Sequence, residues 1–261
     1  MEAQRDLQKI ERVALGAAHK AGLLLAEKFG KAHNVSKKGG IDLVTEADVG
    51  AEKIIKGIIG AAFPGDRILA EESGDSGGDA DGVWIIDPLD GTTNYAHHIP
   101  IFAVSIAFAH RSQTLYGLVL NPVSGELYTA AKGGGAYRNN ARIRVSETEK
   151  VFESLLVTGF PYDLATHLEG LMARLTRVLG ASQGVRRLGS AALDLCFVAA
   201  GRFDGFWEEN LHPWDTAAGA LILIEAGGTV SDFSQGGWSP FDRQILATNG
   251  RIHGELARLL A

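Results

Sequence analysis

Apolar side chains at Leu7, Ile10, Ala14, Ala17, Ala21 and Leu24 recur three and four positions apart, which predicts an amphipathic helix over residues 5–29, closed by Gly30. A polar stretch, Lys31–Ile41, separates it from a second predicted helix, Glu46–Ala62. Thr45 can cap that helix, Ile54, Ile55, Ile58 and Ile59 supply its apolar face, and Pro64-Gly65 stops it. The period then changes. Arg67–Ala70 and Val83–Ile86 are short apolar runs that end at acids, as buried strands do when they deliver side chains to a sheet edge. Ala103–Ala109, Leu115–Leu120, Glu126–Ala130 and Ile143–Val145 are parted by Asn121-Pro122, Ser124-Gly125 and Asn139-Asn140 and predict an antiparallel meander. Beyond it the chain predicts helices over 164–179 and 190–200, a strand over 203–208, a helix over 215–226, short strands up to residue 247 and a last helix after Asn249. The mixture is a layered α/β architecture, expected as an N-terminal lobe over residues 1–145 and a C-terminal lobe over 146–261.

Composition narrows the function. With 261 residues, 46% of them hydrophobic and 21% charged, the chain can bury a substantial core. The formal charge of −6 comes without a run of Lys or Arg, so a broad nucleic-acid footprint is not expected. Cys196 is the single cysteine, which excludes an intramolecular disulfide and fits a reducing cytoplasm. No apolar run reaches membrane-spanning length, and the N-terminus lacks the order of a secretory signal, so a soluble protein is expected.

Three acidic stretches carry the chemistry: Glu71-Glu72-Ser73, Asp87-Pro88-Leu89-Asp90-Gly91-Thr92-Thr93-Asn94 and His212-Pro213-Trp214-Asp215. Each sets carboxylates just after an apolar strand or at the opening of a helix. Acids gathered in a protein interior repel one another unless cations neutralise them, so convergence of these segments predicts a hard-cation site, with magnesium its natural occupant. Pro88 fixes one backbone dihedral between Asp87 and Asp90, while Gly91 permits close approach of a bound anion. The Gly91, Thr92 and Thr93 amides can open a helix towards a phosphate. Two metals about 3.5–4 Å apart would clamp the attacking and leaving oxygens of an in-line displacement.

These residues resemble the inositol monophosphatase family. The likeness rests on Glu71-Glu72-Ser73, on Trp84 to Asn94 and on Trp214-Asp215 with Ala217-Ala218-Gly219. It extends through Asp42 to Asp48, Gly189-Ser190-Ala191-Ala192 and Glu225-Ala226-Gly227-Gly228, while Thr158 to Pro161 and Gly201 to Phe206 make bacterial members look nearest. The resemblance implies a layered αβαβα sandwich shared with fructose-1,6-bisphosphatases, and two or three magnesium ions per site. Glu71, Asp87 and the Leu89 carbonyl would hold the first metal; Asp87, Asp90 and Asp215 would hold the second. It also implies that Asp48 and Thr92 position the nucleophilic water, with Glu71 beside them in catalysis, and that the Gly91 and Thr92 amides bind phosphate. Ser190, Ala191 and Glu208 would face the alcohol portion, and Lys37 or Lys38 would occupy a mobile loop. The implied reaction is direct attack by metal-activated water on a small phosphate monoester of a polyol or sugar. Inositol monophosphate is favoured because Glu208 can accept from its hydroxyls; fructose bisphosphate, histidinol phosphate and nucleotide 3′(2′),5′-bisphosphates remain alternatives. A homodimer, sensitivity to lithium and no membrane association are further implications.

Blander readings stand beside each assignment. Asp48 lies three residues after Thr45, the spacing of a capping box, and Asp215 can simply favour a helix start. Asp-Pro-x-Asp-Gly is also turn chemistry, and Glu71-Glu72, Glu208-Glu209 and Lys37-Lys38 can be solvated pairs. Ser190 is a good N-cap. No His-Glu-x-x-His or paired-cysteine spacing suggests zinc. Gly74-Asp75-Ser76-Gly77-Gly78 reproduces a serine-protease nucleophile motif, but only His19 and His33 precede it, so it is expected to be a flexible loop. Leu89-Asp90-Gly91-Thr92 resembles a haloacid-dehalogenase nucleophile loop, whose acids have Asp-x-Asp spacing; Asp87 and Asp90 stand further apart. A non-catalytic or moonlighting binding protein is the rival of another class.

Overall fold

The computed structural model describes residues 6–31, 35–37, 43–77, 79–161 and 164–261; the side chains of 35–37, 43–45, 79–80 and 164–166 fall outside that description. Residue 5, Lys38, Asp42 and Gly78, all named from the sequence, therefore lie outside it, as does the side chain of Lys37.

Helix α1 (Leu7–Lys28) is followed by strands β1 (Val35–Lys37) and β2 (Leu43–Thr45), α2 (Glu46–Ala62), β3 (Asp66–Ala70), β4 (Gly74–Asp75), β5 (Asp79–Asp90) and the short α3 (Thr92–Ala96). Next come β6 (Ala103–His110), β7 (Gln113–Asn121), β8 (Glu126–Ala131), β9 (Gly135–Arg138) and β10 (Ala141–Arg142). A 3₁₀ turn at Val151–Glu153 leads to β11 (Leu155–Thr158), α4 (Leu164–Ala181), β12 (Gly184–Arg186), α5 (Ala191–Ala199) and β13 (Gly205–Glu209). The chain ends with α6 (Pro213–Glu225), β14 (Thr229–Ser231), β15 (Gln244–Thr248) and α7 (His253–Leu260). Among the described residues no helix is long and apolar enough to cross a membrane.

Two larger sheets are stacked with helices outside and between them. The first has the order β10-β9-β8-β7-β6-β5-β3-β4, and the second β12-β11-β13-β15-β14. One face of the first sheet, with Trp84, Ile86, Val104, Ile106 and Phe108, packs on Ile10, Ala14, Ala17 and Ala21 of α1 and on Ala51, Ile55 and Ile59 of α2. Ile85, Ala107 and Val119 point the other way, as strand alternation requires, and share a core with α5, α6 and Val157, Phe206, Ile245 and Ala247 of the second sheet. The far side of that sheet, with Leu156, Trp207 and Leu246, meets Val178 of α4 and Leu256 and Leu260 of α7. The layers thus run αβαβα. Helix α6 lies close against the first sheet because Gly117 has no side chain: a methyl there would stand 2.7 Å from the Ala218 carbonyl oxygen. That close seat fixes Asp215, in the first turn of α6, over the sheet.

The meander departs from expectation at its end. Ile143–Val145 is not a strand; the Ile143 N–H donates to the Ala136 carbonyl and the Val145 N–H to the Ala226 carbonyl. Asn139 and Asn140 adopt φ of 49° and 64° and close a two-residue hairpin that pairs Arg138 with Ala141, so β9 and β10 end the sheet instead. Strand β5 runs well beyond Val83–Ile86 on both sides. Gly74-Asp75 is a short strand paired with β3, with Asp75 bonded to Arg67 and the Ser76 hydroxyl accepting from the Ile68 N–H.

Candidate active site

The site forms where β5 leaves the first sheet. Asp87 and Asp90 are three positions apart, so on a regular strand their side chains point to opposite faces. Asp87 pairs with Ser105 and Asp90 with Ala103, which places one extra residue on β5 and makes a bulge. The bulge turns both carboxylates towards α6, and Pro88 sits in it, where the missing N–H breaks no ladder bond. Asp215 arrives from α6, and carboxylate oxygens of Asp87, Asp90 and Asp215 lie within 4.8 Å of one another. Glu71, at the end of β3, lines the same cavity of about 460 Å³ with Asp90, Gly91, Ser190, Ala191, Glu208 and Asp215.

Each acid is oriented by local bonds. Asp87 accepts from the Leu89 N–H at 2.9 Å, and Asp215 accepts from the His212 N–H at 2.7 Å, so the helix-start role of Asp215 and its place in the cluster coexist. Asp90 accepts from the Ser190 hydroxyl at 2.5 Å and the Ala192 N–H at 2.8 Å. Ser190 is also the N-cap of α5, its hydroxyl accepting from the Leu193 N–H at 3.4 Å. Asn94 ties the two segments together by donating to the Ile101 and Leu188 carbonyls at 2.7 and 2.8 Å. Gly91 has φ of 94°, and a methyl on it would stand 2.9 Å from the Ile101 carbonyl oxygen.

Asp48 is fully buried on α2, and its Oδ1 accepts from the Thr92 hydroxyl at 3.0 Å; the same hydroxyl lies 3.0 Å from the Leu89 carbonyl. The capping alternative for Asp48 involves the side chain of Thr45, outside the described set. The two adjacent acids of β13 part company. Both border the cavity, but Glu209 is bound by Arg174 through both carboxylate oxygens, at 2.5 and 2.7 Å, while the Glu208 carboxylate lies over Gly159.

Electrostatics follow from crowding. Burial, then the charges of Glu71, Asp90 and Asp215, hold the Asp87 carboxyl well above the ordinary carboxylate range. Burial and Asp90 do the same to Asp215. Burial pushes Asp90 up to about 6 against the hydrogen bonds from Ser190 and Ala192. Burial also raises Glu208 to about 8, opposed by Arg187. These carboxylates resist ionisation together and offer only hard oxygen donors, the set that a divalent cation such as magnesium completes. The residues present therefore fit a metal.

Three contributors escaped the sequence reading. Glu52 stands one turn beyond Asp48 on α2, is 4% exposed, and accepts from the Glu72 N–H at 2.8 Å, which fixes the backbone beside Glu71. Its spacing of four from Asp48 was the available signal. Asp194 on α5 is buried with neither carboxylate oxygen bonded to protein, and burial followed by Glu208 raises it well above its usual range. Arg187 lies over the Phe160 ring at 5.7 Å and edges the cavity.

Known proteins resemble the chain over nearly its whole length. Residues 6–261 match the inositol monophosphatase family. An inositol-1-monophosphatase of Mesorhizobium japonicum is 48% identical over 86% of this chain and 85% of its own length. The Escherichia coli protein named Nus factor SuhB is 43% identical over 92% of this chain and 91% of its own. The solved inositol monophosphatase of Anabaena superposes with a TM-score of 0.89 at 42% identity, covering 98% of this chain and 96% of that one.

Proposed function

The chain belongs to the inositol monophosphatase family, metal-dependent phosphatases that hydrolyse phosphoric monoesters, and we propose that its substrate is an inositol monophosphate and its metal magnesium. The observation that carries the proposal is the meeting of Asp87, Asp90 and Asp215 within 4.8 Å beside a cavity that Asp90, Asp215 and Glu208 line together.

Asp87, Asp90 and Asp215, with Glu71 and the Leu89 carbonyl, would hold two or three ions. Bound magnesium would supply charge that lowers the pKa of water and stabilises the departing oxygen. The chain's own groups do the rest. The Thr92 hydroxyl gives its hydrogen to Asp48 Oδ1, which leaves its lone pairs to accept from the attacking water and to aim it at phosphorus. Glu71 borders the same space and helps to orient that water. The Gly91 and Thr92 amides donate to the phosphate, whose close approach the missing side chain of Gly91 permits. Ser190 keeps Asp90 turned inwards, Ala191 forms the adjoining wall, and Glu208 accepts from hydroxyls of the alcohol. Lys37, which ends β1 rather than lying in a loop, or its neighbour Lys38 is the lysine assigned to the segment that closes over the site. A cytoplasmic, lithium-sensitive homodimer completes the proposal.

The test is a side-by-side measurement of phosphate release from inositol monophosphate, fructose 1,6-bisphosphate, histidinol phosphate and a nucleoside 3′,5′-bisphosphate across a magnesium series. The highest kcat/KM on inositol monophosphate, abolished by a chelator, is expected. A higher value on another ester would reassign the substrate, and no turnover on any would favour a binding protein, the reading that the SuhB-named relatives keep open.

A further inference from the structure

Strands β11 and β13 run parallel, with Thr158 opposite Trp207 and the Thr158 hydroxyl donating to the Trp207 carbonyl at 2.7 Å. The next residues along each strand are therefore neighbours: Gly159 and Glu208. A methyl placed on Gly159 would fall 2.0 Å from Glu208 Oε2, 2.1 Å from Oε1 and 2.1 Å from Cδ. The whole carboxylate thus occupies the volume that any side chain at 159 needs. Gly159 itself lies outside the left-handed region, so its backbone accepts alanine, and the group that must give way is the flexible end of Glu208.

Both residues line the cavity beside the acid cluster, and the attraction of Arg187, seated on Phe160, acts on Glu208 from the same rim. Its neighbour Glu209 also borders the cavity, but Arg174 binds both of its carboxylate oxygens, whereas Glu208 lies over Gly159. We propose that Gly159 is a specificity-determining position: by leaving room for the folded-back Glu208 carboxylate, it sets where that carboxylate meets the hydroxyls of a polyol phosphate. The inference rests on the reading of Glu208 as the group that faces the alcohol portion. Gly159 has no side chain to offer a substrate and acts as a positioning residue.

The test compares kcat/KM for inositol 1-phosphate with kcat/KM for phenyl phosphate, which has no hydroxyl, in G159A, E208A and the double variant under saturating magnesium. The inositol-to-phenyl ratio should fall by roughly tenfold in E208A and similarly in G159A, as loss of one hydrogen bond to a charged group predicts. The double variant should fall no lower than E208A, because both changes remove the same contact. If E208A lowers the ratio while G159A keeps the parent value, the Gly159 inference is wrong and the Glu208 reading survives. A ratio untouched by E208A sinks the Glu208 reading and the inference together. Equal loss on both substrates in G159A, with or without a lower melting temperature, also overturns the inference, since a merely structural role acts on both.

Discussion

Replacing Asp90 by Asn separates the two costs that this carboxylate balances. In the metal-free protein its carboxyl, raised by burial to about 6 from an ordinary 3.8, is ionised at pH 8 against a penalty of about 3 kcal/mol. A folded-state value above the ordinary one means that the folded chain holds the proton more tightly. The penalty is therefore absent below about pH 4, grows between pH 4 and 6, and is complete above. Asn removes it but weakens the bonds from Ser190 and Ala192, at about 0.5–1 kcal/mol each. The net is a metal-free variant more stable than its parent at pH 8 by about 1–2 kcal/mol, or about 2–8 °C in Tm, with the advantage shrinking at pH 5. The same variant loses a metal-facing oxygen, so its magnesium affinity drops and turnover falls by roughly 100-fold or more. Differential scanning calorimetry with chelator at pH 8 and 5, magnesium titration and phosphate release read these quantities. A metal-free variant that melts below the parent at pH 8, or one that keeps parental turnover, would refute the reasoning.

The metal-free protein should gain urea resistance as pH falls from 8.5 to 6.5, because Glu208, raised by burial to about 8, takes up a proton more readily when folded. A midpoint that rises with pH over that interval contradicts the sign; below it His253, lowered by burial, works in the opposite direction. Glu52→Ala leaves the Glu72 N–H without its acceptor, so a loss of about 1–3 kcal/mol in urea unfolding and a higher magnesium requirement are expected, while an unchanged requirement would separate Glu52 from Glu71. Gly117→Ala drives a methyl to 2.7 Å from the Ala218 carbonyl, and a loss of about 1–3 kcal/mol with weaker metal binding through displaced Asp215 is expected; a variant with parental melting and metal affinity would show that α6 has slack.

Periodic apolar spacing made the helices legible: Glu46–Ala62 matches α2 at both ends because Ile55 and Ile59 mark its buried stripe and Pro64-Gly65 its stop. The meeting of Asp87, Asp90 and Asp215 was legible too, since three acidic stretches, each after an apolar strand or at a helix start, need a cation if they converge in the interior. What stayed hidden depends on neighbours distant in sequence. Residues 87 and 90 show three-residue spacing, but the bulge that brings both carboxylates to one face is defined against β6, and only Pro88 hinted at it. Strand β12 has three residues, too short for a period to show. Ile143–Val145 is apolar enough for a strand, yet the asparagine hairpin before it had already ended the sheet. Gly159 looks like any loop glycine until Glu208, 49 residues on, is seen in its space.

That Asp87, Asp90 and Asp215 gather to hold divalent metal is tested most directly by anomalous diffraction from crystals grown with manganese at pH 8. Manganese peaks between Asp87, Asp90 and Asp215, lost in Asp90→Asn crystals, are predicted. Strong manganese peaks elsewhere on the protein, with none at these three carboxylates, would contradict it.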